Sequence, residues 1–159
     1  MTGFTKNPFA GMSLKENYDA LLSGAVGPRW PDERMQAGYA GNCGVALLGR
    51  TYQFINILER DGAFKQGWKG LDYGCGWGRF ASTLLTKGTP DQLDLCDAWD
   101  ETLELIKGLG YHNQIFRVSE LLKRREIAYC KYDFVLSFSV FTHLSPSAFE
   151  QNIPACCGA

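Results

Sequence analysis

Several classes of segment are missing from this 159-residue chain. Residues 1–25 carry Lys6, Lys15, Glu16 and Asp19 and no continuous apolar block, unlike the charged-then-apolar design of a secretory leader. No run approaches the ~18 apolar residues that a membrane span needs. A cytoplasmic location is therefore expected. An excess of one charge is missing too: 16 Lys+Arg stand against 17 Asp+Glu, a formal net charge of −1. Without a global basic field, nucleic acid and anionic membranes are disfavoured as partners. The single basic cluster, Leu121-Leu122-Lys123-Arg124-Arg125, has no accompanying aromatic stripe and reads as a solvated helix end.

Metal-ligand spacing is poor. The cysteines at 43, 75, 96, 130, 156 and 157 form no Cys-x-x-Cys pair, and His112 and His143 are the only histidines. Zinc is not expected, and in a reduced compartment neither are disulfides. Cys75 and Cys96 read as small hydrophobes at strand–loop junctions. The vicinal pair Cys156–Cys157 has no clear assignment. Internal repeats and low-complexity tracts are absent.

The chain does have the means to build a core: 45% of its residues are hydrophobic and 13% aromatic. That composition excludes disorder, and the length suits a single domain. Residues 1–40 look irregular around Pro8, Pro28 and Pro31, apart from a short helix starting at the capping-box sequence Ser13-Leu14-Lys15-Glu16. From Gly44, Val45, Leu48, Tyr52, Ile55 and Leu58 recur at steps of three and four, predicting a helix that ends near Asp61-Gly62.

Strands and helices then alternate. Strands are expected over 68–73, 92–96, 113–118 and 132–138. Helices are expected over 79–87, ending at Gly88, over 100–108, and from Ser145-Pro146 onward. Residues 119–125 read as a turn or short helix. This alternation implies right-handed crossovers and an α/β fold with a parallel sheet.

The most informative stretch joins the first strand to its helix: Asp72-Tyr73-Gly74-Cys75-Gly76-Trp77-Gly78-Arg79. Glycines there let the backbone turn sharply and approach a ligand closely. In doubly wound sheets the ligand crevice lies beyond the carboxyl ends of the strands. Asp97 follows the second strand and can accept hydrogen bonds from ribose hydroxyls. A phosphate loop would need Gly-Lys-Ser/Thr, which is absent. A dinucleotide fingerprint would need glycine where Arg79 stands, which counts against a nicotinamide-dependent oxidoreductase.

The pattern Asp-x-Gly-x-Gly-x-Gly-Arg resembles the first motif of class I S-adenosylmethionine-dependent methyltransferases. Asp97 matches that family's second motif, and residues 132–144 match its fourth-strand region. The resemblance covers residues 67–144, half the chain. It implies a Rossmann-like, doubly wound sheet with strands in the order 3-2-1-4, formed by a methyltransferase domain at 44–159 behind an N-terminal helical extension at 1–43. It also implies S-adenosylmethionine as cofactor and an unidentified methyl acceptor, and the near-neutral charge favours a small molecule or protein over nucleic acid in that role.

Residue by residue, the resemblance places the backbone of Gly74, Cys75 and Gly76, with Gly78 closing the loop, beneath the methionine part of the cofactor. Asp72 would orient that part, or else cap a helix or fix the loop. Asp97 would hold the ribose, or else N-cap the next helix. Ala98 and Trp99 would lie near the adenine, with core packing the alternative for Trp99. Ser119 or Glu120 would read the adenine amine. Ser137 and Phe138 would face the methionine end. His143 would border the substrate side as a catalytic base, or else cap the following helix. Gln36, Gly38, Tyr39, Gly41 and Asn42 would fold over the cofactor or form an ordinary loop.

Relatives carry seven strands, whereas only four are expected here. The chain thus reads as a partial domain, active or a binding remnant, with Phe134 and Leu136 exposed on an open edge.

Overall fold

The computed structural model describes residues 7–119 and 131–157, with side chains through residue 152. Glu120, the basic cluster at 121–125, Cys130 and the side chains of Cys156 and Cys157 lie outside the described residues.

The chain begins with three helices: α1 (Leu14–Ser23), α2 (Glu33–Ala40) and α3 (Gly44–Arg60). The capping box expected at Ser13 and Glu16 starts α1, and Gly24 ends it in the left-handed conformation. α2 falls in the stretch that the sequence left irregular. Asp32 caps it by accepting from the Met35 N–H, and Gly41 closes it. Its one buried side chain is Gln36, so no apolar periodicity marks it. In α3, Leu48 and Ile55 are buried as expected, joined by Leu47 and Thr51.

The strand–helix alternation follows: β1 (Gly70–Tyr73), α4 (Arg79–Leu84), β2 (Leu93–Asp97), α5 (Asp100–Gly108), β3 (Ile115–Arg117), β4 (Phe134–Leu136) and α6 (Pro146–Cys157). The strands form one parallel sheet in the order β3-β2-β1-β4. The central strands are buried on both faces, as a sheet covered by helices requires. Four of the expected spans shorten: the first strand begins at Gly70, the third and fourth keep three residues each, and α4 stops at Leu84 before the Leu85–Gly88 turns.

The expected exposure at β4 is not found. Leu136 is buried, and the Phe134 ring packs against Phe64 and Trp68 at centroid distances of 5.6 and 5.4 Å. β4 is the outer strand of the sheet, but its apolar side chains point into the helical layers rather than to solvent.

The N-terminal helices belong to the same core as the sheet. Trp30, fully buried, meets Trp77 edge-on at 4.8 Å and donates from Nε1 to the Ser82 hydroxyl at 2.6 Å. Gln36 donates to the Pro31 carbonyl at 2.7 Å, and its Oε1 accepts from the Gly44 N–H at 2.9 Å. One buried amide therefore satisfies the turn before α2 and the first N–H of α3, replacing the side-chain cap that Cys43 does not provide. Through Trp30 and Trp77 the described N-terminal helices are thereby fixed against the glycine loop, and this positions the site.

Candidate functional site

Two contiguous cavities open at the carboxyl ends of β1, β2 and β4, about 320 and 350 Å³ in volume. They share Tyr39, Gly74, Phe138, Ser139 and His143. The first also reaches Asp72, Cys75, Gly76 and Arg79; the second reaches Asp97, Ala98, Trp99, Thr102 and Val118. Together they have the size and placement of a ligand crevice at the switch point of a doubly wound sheet, where β1 is flanked by β2 and β4.

The glycine loop owes its shape to β2. The N–H groups of Gly74 and Cys75 both donate to the Cys96 carbonyl, at 2.9 and 3.0 Å, and the Gly76 N–H donates to Asp97 Oδ2 at 3.1 Å. Gly74 and Gly78 both have positive φ and no room for a side chain. A Cβ at Gly74 would lie 2.2 Å from Val140, and one at Gly78 would lie 2.4 Å from the Tyr111 ring. Tyr111 in turn donates to the Gly78 carbonyl at 2.7 Å. Gly78 thus serves packing and lines neither cavity. Gly76 differs, since its missing side chain faces Tyr39 across the first cavity.

Asp72 sits at 2% exposure with Oδ2 unpartnered. Burial pushes its carboxyl up to about 7; nearby Arg79 opposes that rise and Asp97 adds to it. It caps no helix, because Gly78 is the N-cap of α4. Asp97 spends both oxygens on backbone: Oδ2 takes the Gly76 N–H and Oδ1 the Trp99 N–H at 3.2 Å. It is not the N-cap of α5, a position held by Trp99. A carboxylate accepting one bond at each oxygen keeps lone pairs for two hydroxyls.

Trp99 stands 60% exposed on the second cavity, which removes the core-packing reading. Phe138 lines both cavities. Ser137, expected beside it, lines neither: its hydroxyl is buried without a hydrogen-bond partner, and Ser139 reaches the cavities instead. Ser139 has φ +63°, a conformation that non-glycine residues seldom adopt, and its carbonyl accepts from the Thr142 hydroxyl at 2.9 Å. Ser119 also lies outside both linings.

His143 is exposed and closes a 3-10 turn (Phe141–His143) that borders both cavities. The start of α6 is served instead by Ser145, whose hydroxyl accepts from the Ala148 N–H at 3.3 Å. His143 is thus not its cap.

Two further side chains line the cavities: Arg79, not expected as a site group, and Tyr39, expected among the residues that fold over the cofactor or form an ordinary loop. Arg79, read only as a motif position, projects into the first cavity with its guanidinium over the Phe80 and Phe138 rings, 4.4 and 4.5 Å from their centroids. Tyr39, at the end of α2, spans the roof, and its hydroxyl comes within 3.5 Å of the Thr102 hydroxyl on α5.

No protein-family model and no curated protein matches the chain. Solved structures do. A SAM-bound amino pentose methyltransferase from Micromonospora echinaspora, involved in calicheamicin biosynthesis, superposes with a TM-score of 0.58 at 16% identity, over 80% of this chain and 52% of that one. The SAM-bound magnesium protoporphyrin IX methyltransferase of Synechocystis gives 0.56 at 15% identity, over 92% and 72%. The methyltransferase domain of a bacterial Hen1 protein gives 0.54 at 21%, over 67% and 57%. The chain spans between about half and three quarters of these structures' lengths. At such identities the likeness shows the fold alone: a Rossmann-like α/β sheet with strands in the order 3-2-1-4, similar to that of these methyltransferase structures.

Proposed function

We propose that the cleft binds S-adenosylmethionine and that the protein transfers its methyl group to a small-molecule or protein acceptor. The observation that carries this reading is the pairing of the two cavities with two carboxylates. Asp72 lines the first cavity and Asp97 the second, both at strand carboxyl ends, one carboxylate for each end of an amino-acid–nucleoside ligand. The residues present fit the group. The orphaned Asp72 Oδ2 calls for a donor such as an ammonium, and the missing Cβ of Gly76 leaves the loop open to a ligand.

In this reading Asp97 accepts the ribose hydroxyls, and Ala98 and Trp99 offer an apolar wall and a ring face to the adenine. Gly74, Cys75 and Gly76 pass under the methionine part, and Phe138 lies against it. Tyr39 roofs the cleft and excludes water. When bound, the cofactor supplies an electrophilic methyl on a sulfonium. The protein's share of the rate then comes mainly from holding the acceptor in line with that methyl. His143, exposed beside both cavities, takes a proton from the acceptor if the reacting atom carries one. The near-neutral charge and the expected cytoplasmic setting favour a metabolite or protein acceptor.

Calorimetric titration with S-adenosylhomocysteine and with NAD tests the assignment. Micromolar binding of the first and none of the second is expected, and no heat from S-adenosylhomocysteine on folded protein overturns it. Transfer from labelled cofactor to cell-extract fractions then distinguishes a working enzyme from a binding remnant. His143→Ala should lower transfer while leaving S-adenosylhomocysteine affinity within about twofold.

A further inference from the structure

We infer that Arg79 is the carboxylate receptor of the cleft, and that together with Asp72 it makes the first cavity a receptor for an α-amino-acid zwitterion. This rests on the S-adenosylmethionine reading and specifies which residue grips the far end of the cofactor.

Three observations meet here. First, the two side chains line one cavity and carry opposite charge, but they do not satisfy each other: Asp72 keeps a buried oxygen without a partner. Second, the guanidinium is fixed by its faces. Its carbon lies 4.4 and 4.5 Å from the Phe80 and Phe138 ring centroids, and those rings are themselves 5.2 Å apart. Stacking uses the π faces of a guanidinium and leaves its N–H edges free, and those edges match a carboxylate with two parallel bonds. Among the described residues, no side-chain hydrogen bond or ion pair consumes them. Third, Arg79 is the one permanently charged cation among the residues lining this cavity; Tyr39, Ser139 and His143 offer hydrogen-bond donors without a fixed charge, Cys75 is a buried thiol whose pKa is raised by burial, and Gly76 has already given its N–H to Asp97.

A half-buried cation held in one orientation beside a buried carboxylate is complementary to a ligand that brings both charges in reverse. The ligand's ammonium meets Asp72 and its carboxylate meets Arg79. Phe138 contributes twice, as the wall of the cleft and as the surface that aims Arg79.

A ligand–protein cycle tests this by titration calorimetry. The full chain, as wild type, Arg79→Gln and Arg79→Lys, is titrated with S-adenosylhomocysteine and with its decarboxylated analogue. Wild type should prefer the intact ligand by about 10- to 100-fold, the range of a charge-assisted hydrogen-bonded contact. Arg79→Gln should lose most of that preference with little change toward the analogue. Arg79→Lys should keep part of it, as a point charge without the fork. Equal affinity of wild type for both ligands overturns the inference, as does an equal loss for both ligands in Arg79→Gln, which would mark a packing role. If Arg79→Gln does not fold, the wild-type comparison and Arg79→Lys decide. Failure of wild type to bind S-adenosylhomocysteine at all overturns the cofactor reading itself, a distinct outcome.

Discussion

Asp72 and Asp97 are the same side chain at the ends of neighbouring parallel strands, and their surroundings differ in almost every respect. Asp97 is half-buried and bound to backbone through both oxygens; it holds the glycine loop against β2 whether or not a ligand is present. Asp72 is buried with an unsatisfied oxygen, and its charge is offset only by nearby Arg79, which does not outweigh the cost of burial. One carboxylate builds the site. The other is kept there at a cost in stability, which is the pattern expected where a group serves a ligand rather than the fold.

Substitution should separate the two. Asp97→Ala should have the largest effect, on the order of a 100-fold or greater loss of S-adenosylhomocysteine affinity, because two charge-assisted ligand bonds and the loop anchor go together. Isothermal titration measures it, and a loss below tenfold would break the contrast. Asp72→Asn should split binding from stability. Its folded carboxyl sits at about 7 against an ordinary 3.8. Ionising it in the folded chain therefore costs on the order of 4 kcal/mol, at 1.36 kcal/mol per pKa unit. Urea unfolding at pH 8 should find the unliganded variant more stable than wild type by a good part of that, with affinity about tenfold weaker. Asp97→Asn should bring no such gain.

The pH dependence follows with its sign. Between pH 4 and 7 the unfolded chain has lost the Asp72 proton and the folded chain retains it. The folded state thus binds more protons, and this group makes stability fall as pH rises through that window and level off above pH 7. If an ammonium pairs with the ionised form, S-adenosylhomocysteine affinity should move the other way, weakening up to tenfold per pH unit below pH 7. Titrations in buffers of different ionisation heat would register proton release on binding, and a flat profile would remove Asp72 from ligand contact. The smallest effect belongs to Trp99. Trp99→Ala should cost about fivefold in affinity, the low end of the worth of one base–aromatic stack, and wild-type Trp emission should be quenched by the ligand.

What the sequence revealed about this pair, and what it hid, has a physical basis. Asp97 was readable because strand, loop and helix signals bracket it, and the boundaries of α5 agree with expectation. The burial and isolation of Asp72 are tertiary facts, set by how Val140, Cys96 and Arg79 pack around the loop. The helix α2 was invisible because it buries one glutamine and no apolar stripe; only the flanking Asp32 and Gly41 mark it. Ser137 was a register error of two residues, since alternation along β4 gives way after Leu136 to a turn that presents Ser139 at positive φ. Arg79 was visible as a motif position, but its use depends on the Phe138 ring arriving from β4.

The glycine loop is clasped from both directions along the chain. The bond from Trp30 to Ser82 closes a span of 52 residues, and the bond from Tyr111 to Gly78 closes one of 33. Contacts of such sequence separation form late, because the entropy of closing each loop must be met before the contact rewards it. β1 meets β4 across a longer span still, Gly70 facing Phe134, so the sheet beside the crevice depends on the same class of distant contact. Competence to bind should therefore arise only once the sheet and its N-terminal clasp have formed together.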